Sequence, residues 1–105
     1  MYMRSGPAAL ILLLAACNTG SPEFLGVVPQ RATIGQSTFD VRRKNDRVEV
    51  LRMSREPVFS LAAIVPRATQ AVIAATGCVP RPESWTGDQA MARVAVDCPD
   101  DDHPG

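Results

Sequence analysis

Apolar and polar positions alternate along three runs of the chain and recur at helical spacing along a fourth. In residues 37–43 and 47–53 the alternation is that of two strands with one buried face each. A two-residue turn at Asn45-Asp46 would join them with Val41 opposite Val50 and Arg42 opposite Glu49. Apolar pairs then share one face, which Phe39 continues, and charged pairs share the other.

From residue 57 to 76 the period changes. Leu61, Ile64, Val65, Ala68, Val72 and Ala75 fall three and four apart, which predicts a helix with an alanine-rich apolar stripe. Ser54 with Pro57 supplies its start and Thr76-Gly77 its stop. Pro66 interrupts the stripe, because proline lacks the amide that would bond to residue 62. It either kinks one helix or opens the main helix after a short turn.

The last alternating run, Ala92, Val94 and Val96, ends at Cys98. Residues 78–83 and 91–98, paired antiparallel about Thr86-Gly87-Asp88, bring Cys78 opposite Cys98. Their Cα atoms would then lie roughly 4.5–5.5 Å apart, a distance that a disulfide spans. This register sets Arg93 and Asp97 on the face away from the valines and Glu83 across from Arg93. Pro80 and Pro82 either place their strand at a sheet edge or shorten it, because proline cannot donate to a ladder. Residues 37–98 thus read β-β-α-β-β, an α+β domain whose single helix covers one face of an antiparallel sheet of two hairpins.

Composition narrows the picture. A chain of 105 residues has room for one small domain, and 11 Lys and Arg against 11 Asp and Glu leave no bulk charge for a nucleic-acid binder. With 46% hydrophobic and 21% charged residues, neither a wholly disordered chain nor a multi-span membrane protein fits. The apolar residues are concentrated at the start. Arg4 precedes an apolar run over residues 7–16 centred on Leu10, Ile11, Leu12, Leu13 and Leu14. About ten apolar residues are too few for a permanent transmembrane helix, which needs roughly twenty, and suit the core of an export signal.

That run ends in Leu14-Ala15-Ala16-Cys17, which resembles the lipobox of bacterial lipoproteins. The resemblance implies that residues 1–16 are a signal peptide. Cys17 then becomes the first mature residue, carrying a diacylglycerol thioether and a further acyl chain of the palmitate type. Two or three acyl chains anchor a protein effectively permanently where one would be marginal. Asn18, in place of the aspartate that retains such proteins in the inner membrane of enteric bacteria, favours the outer membrane. The short elements Thr76-Gly77-Cys78, Gly87-Asp88-Gln89-Ala90 and Asp97-Cys98 are similar to those of small periplasmic lipoproteins of alphaproteobacteria, a likeness that supplies no activity.

Residues 17–36, with Gly20, Ser21, Pro22, Gly26, Pro29 and Gly35, read as the lipidated N-terminus and a solvated tether. The apolar cluster Phe24, Leu25, Val27 and Val28 is its one feature able to dock on the domain or the bilayer. Residues 37–98 are the domain, and 99–105 an acidic disordered tail. Beyond Cys17 only Cys78 and Cys98 remain, an even number in an exported chain, so a disulfide is expected. Two cysteines and one distant histidine fall short of a zinc-ligand set, and Cys-x-x-Cys spacing is absent.

Two surface features are candidates for contact. Arg42, Arg43, Lys44 and Arg47 form a basic cluster that is either a solvated turn tip or a contact for anionic headgroups. Trp85 is either a lid on the core or an exposed partner contact. Catalytic signals are weak: the single histidine, His103, lies in the tail, no Ser-His-Asp set or phosphate-cradling loop is visible, and Glu83 and Asp88 merely share a loop. The sequence therefore predicts a lipid-anchored periplasmic protein with a structural or adaptor role, needing no cofactor, metal or nucleic acid. The alternatives are a small-ligand or lipid-binding module with its site between helix and sheet, and an envelope enzyme.

Overall fold

Asn45 takes the left-handed conformation, with φ 57°, and with Asp46 closes the hairpin of β2 (Ser37–Lys44) and β3 (Arg47–Arg52). Val41 pairs with Val50 and Arg42 with Glu49, the register that the sequence predicts. This computed structural model describes residues 21–99; the expected signal peptide, Cys17 and the tail from residue 100 on lie outside the described residues.

Four further strands complete one curled antiparallel sheet: β1 (Gln30–Ile34), β4 (Val79–Pro80), β5 (Thr86–Gly87) and β6 (Met91–Asp97). The order is β1-β2-β3-β6-β4, with β5 also pairing on β6. The two predicted hairpins are joined through β3 and β6, where Val48 faces Val94 and Val50 faces Ala92. One helix, α1 (Leu61–Thr76), covers the face that carries the valines. Ile64, Ala68, Ala71 and Val72 are buried there against Phe39, Val41, Val48, Val50, Val94 and Val96. Each fully buried branched or aromatic side chain stabilises the fold by about 1.5–3 kcal/mol.

Among the described residues the fold is α+β with one α-helix and a Cys78–Cys98 disulfide, as the pattern predicts. Val79 pairs with Asp97 and Pro80 with Val96, so the cysteines face each other with Cα atoms 4.3 Å apart. Gly77 prepares this meeting. At φ 74° it ends α1, its amide bonding the Ile73 carbonyl, and turns the chain back toward the sheet.

In three places the structure departs from the sequence reading. Glu83 does not lie across from Arg93, because the strand stops after Pro80 and Pro82–Ser84 forms a 3-10 turn. Pro82 has no amide for the ladder, and Ser84 replaces it. The Ser84 Oγ accepts from the Ala95 amide at 2.9 Å and donates to the Arg81 carbonyl at 2.8 Å. Pairing resumes three residues later, with Thr86 opposite Arg93. Gly87 follows at φ 103°, where any side chain would collide with the Met91 carbonyl oxygen.

The helix begins at Ser60, not at Ser54 or Pro57. The Ser60 Oγ accepts from the Ala63 amide at 3.1 Å, a helix cap. Arg52 holds the preceding stretch as a loop, donating to the carbonyls of Ser54 and Glu56, each at 2.9 Å. Pro66 sits inside the one helix and does not open a second.

The stretch expected to be a tether belongs to the domain from Ser21 onward. Its Gln30–Ile34 portion is β1, which pairs with β2 from Gln30 opposite Val41 to Ile34 opposite Ser37. Ala32 and Ile34 pack on the core while Arg31 and Thr33 face outward, an alternation of five residues between Pro29 and Gly35 that is too short to stand out in the sequence.

Candidate functional site

The face of the sheet opposite α1 carries a row of charge. Arg42 pairs with Glu49 and Glu49 with Arg93, so three adjacent strands set a carboxylate between two guanidinium groups. Solvent would normally bathe such a row, yet Glu49 has 0% exposure. The cover is a strap formed by residues 21–28. The Ser21 amide donates to Glu49 Oε2 at 2.9 Å, and the Ser21 Oγ accepts from Arg93 Nη1 at 2.7 Å. Arg42 Nε donates to the Val27 carbonyl at 3.2 Å, while Arg42 Nη1 faces Glu49 Oε1 at 3.7 Å. Pro22–Phe24 is a 3-10 turn that buries Phe24 to 2% exposure. The strap is therefore held by one aromatic anchor and by the hydrogen bonds of a buried acid and its flanking bases.

The basic cluster is divided by strand alternation. Arg42 lies in the covered row, and Arg43 points to the opposite side, where its Nε donates to the Asn45 carbonyl at 2.7 Å. Lys44 donates to the Glu23 carbonyl at 3.3 Å, and Arg47 lies 3.7 Å from the Glu23 carboxylate. Three of the four basic residues thus engage the strap, and Lys44 and Arg47 do so at the surface. Sequence reasoning paired Arg42 with Glu49 correctly but missed that the row is buried. Its cover comes from 28 positions away in the chain.

A second polar cluster joins β2, the loop before the helix, and α1. Ser37, fully buried, donates to Glu56 and accepts from Arg67 Nη1 at 2.9 Å. Glu56 also lies 3.4 Å from Arg52 and 3.6 Å from Arg67. The Ser37 hydroxyl, with help from Ser54 and Arg52, holds the Glu56 carboxyl down at about 2. Ser37 is committed on both sides and shut away from solvent, so this is a structural pin and not an activated nucleophile. Nothing in the sequence singled it out, because its members are spread from residue 37 to residue 67.

The other candidates sort as follows. Trp85 is half-buried and packs against the core. Among the described residues the exposed aromatic is Phe59, 88% accessible just before the Ser60 cap. Asp88 is a turn former: its Oδ1 accepts from the amides of Ala90 and Met91, each at 2.8 Å, which hold its carboxyl below the usual range. Glu83 is exposed on the Pro82–Ser84 turn. The disulfide end carries an open depression of about 1100 Å³ between the Asn45-Asp46 turn and β4, crossed by the Arg81–Asp97 ion pair at 2.6 Å. It lies apart from the helix–sheet core, where Ile64, Ala68 and Val72 pack on the valines, and from a smaller cleft of about 200 Å³ at the end of α1, lined by Val28, Val41, Ala75 and Thr76 among others. Among the described residues no group of three or more His, Cys, Asp or Glu is placed to hold a metal ion, and no helix is long and apolar enough to cross a membrane.

Compared with known protein families, curated proteins and solved structures, the chain matches none.

Proposed function

We propose that the chain is a lipid-anchored protein of the bacterial cell envelope whose small periplasmic domain serves a structural or adaptor role rather than an enzymatic one. The observation that carries this reading is the use of its sulfur. The chain has three cysteines; two are buried opposite each other and joined, and the third follows the lipobox-like Leu14-Ala15-Ala16. A structural disulfide persists outside the cytosol, the compartment to which the apolar N-terminal segment would send the chain. Cys17 then serves for acylation, and Asn18 favours the outer membrane over the inner.

The non-catalytic part of the reading rests on how the reactive groups are used. Ser37, Glu49 and Asp88 each make bonds that hold the fold together, and two of the three are fully buried. What the domain offers to a partner is surface: the exposed Phe59 and the outer edge of β1.

Metabolic labelling with palmitate tests the anchor. Wild type is expected to incorporate label and Cys17→Ala to lose it; equal labelling of both removes the reading. Alkylation of native protein tests the compartment. Cys78 and Cys98 are expected to resist until a reductant is added, and immediate reaction of both in freshly isolated protein argues for a reducing location. Photocrosslinking from position 59 in intact cells tests the adaptor role: one discrete envelope adduct supports it, and a diffuse smear counts against it.

A further inference from the structure

The strap fixes how far the domain stands from its anchor, an inference that rests on the lipoprotein reading above. A tether free to residue 36 would let the domain range several tens of ångströms from the bilayer, at up to ~3.6 Å per residue. The chain is not free that far. Ser21 is bound through its amide to Glu49 and through its hydroxyl to Arg93. Four peptide steps separate Cys17 from Ser21, and at 3.8 Å each they reach about 15 Å at full extension. That length is about twice the headgroup layer of one leaflet, roughly 5–7 Å, so Ser21 is held within about 10 Å of the membrane surface and its face stays turned toward it.

The strap is built for that position. Phe24 is buried beneath it, but Leu25 is 64% exposed, an apolar side chain on the segment nearest the anchor; Val28 lies further on, at the sheet edge beside the end of α1. Lys44, which donates to the Glu23 backbone carbonyl, and Arg47, 3.7 Å from the Glu23 carboxylate, flank the strap and set two positive charges against that one acid. Phe59 lies just before α1, in the layer on the other side of the sheet.

We propose that the strap face is the membrane-contacting surface of the domain. The acyl chains on Cys17 draw it onto an anionic phospholipid bilayer, Leu25 enters the interface, Lys44 and Arg47 lie beside lipid phosphates, and α1 with Phe59 faces the periplasm. This orientation gives the adaptor reading a direction, since the surface left for a protein partner is the helix side.

The test uses the full acylated protein in vesicles of phosphatidylethanolamine and phosphatidylglycerol at about 3:1, with and without bromine on the acyl chains. Trp85 supplies a constant emission background in wild type. In Leu25→Trp the added emission is expected to fall about twofold or more in brominated vesicles, and in Phe59→Trp to stay unchanged. Protein that floats with the vesicles while the Leu25→Trp reporter stays unquenched overturns the orientation and leaves the anchor intact; so does quenching at position 59 instead. Wild type that neither incorporates palmitate nor floats with the vesicles overturns the anchor, and this proposal with it.

Discussion

Glu49 shows what a single buried charge asks of its neighbours. Desolvating a carboxylate costs several kcal/mol, which is recovered only when its partners are well placed. Here the Ser21 amide bonds one carboxylate oxygen at 2.9 Å, while Arg42 faces the other at 3.7 Å as an ion pair without a hydrogen bond, under a strap that leaves Glu49 no exposure. Glu49→Ala leaves the Arg42 guanidinium half-enclosed without its acid and unties Ser21. It is expected to lower stability by about 3–5 kcal/mol in urea unfolding. Glu49→Gln keeps an oxygen for the Ser21 amide and is expected to cost less. A Glu49→Ala protein within 1 kcal/mol of wild type refutes this account of the row. Glu56 gives a pH test. Its folded value of about 2 lies below the ordinary 4.5, so its contribution is complete above about pH 4.5 and disappears as pH falls toward 2. Asp88 and Asp97 are also held low and act in the same direction. Thermal unfolding between pH 5 and 2 is therefore expected to weaken in wild type, and more gently in Glu56→Gln; identical slopes remove the Ser37–Glu56 pin as a source of acid sensitivity. At this scale the sequence was legible only for neighbours in register. Arg42 and Glu49 meet across a two-residue turn, whereas Ser21 and Ser37 find their partners through the fold.

Among the elements, α1 carries an evident local conflict. Pro66 sits within its first two turns, unable to donate to the Ala62 carbonyl, in a segment otherwise rich in alanine. Proline costs about 3 kcal/mol relative to alanine inside a helix, partly offset by the freedom that alanine gives the unfolded chain. Because residue 66 is exposed, Pro66→Ala loses no packing and is expected to stabilise the domain by about 2 kcal/mol, read as an upward shift of the thermal midpoint. A loss of stability would mean that the proline sets a bend which the curled sheet requires. The element boundaries show where pattern reading works. The β2–β3 register and the meeting of Cys78 with Cys98 followed from alternation and a midpoint, because strands have a strict period of two. The helix start did not, since two serines competed and the choice was made by Arg52 holding the carbonyls of Ser54 and Glu56. The early end of β4 hinges on Ser84 standing in for Pro82, a substitution that no periodicity reports.

Taken whole, the molecule is a sheet secured from two directions, and the two fastenings act on different strands. The strap crosses β2, β3 and β6 through Arg42, Glu49 and Arg93, while the disulfide ties the end of β6 to the chain leaving α1. A small domain has little stability to spare, and closing a loop of 20 residues removes unfolded-state entropy equivalent to about 3 kcal/mol. Cys78→Ala with Cys98→Ala is therefore expected to lower unfolding stability by about 3 kcal/mol. The loss should also be uneven. β4 is only two residues long and lies at the sheet edge beside β6, so the disulfide is its principal fastening to the sheet. Val48 and Val50 lie in the middle of the sheet beneath α1, with β2 on one side and β6 on the other. Hydrogen exchange in the double variant should accelerate first at the Arg81 amide, which bonds to Ala95 beside the lost bridge, and last at the amides of β3. Uniform acceleration across the sheet would show that the domain opens as one unit, with the bridge supporting all of it and not just its edge.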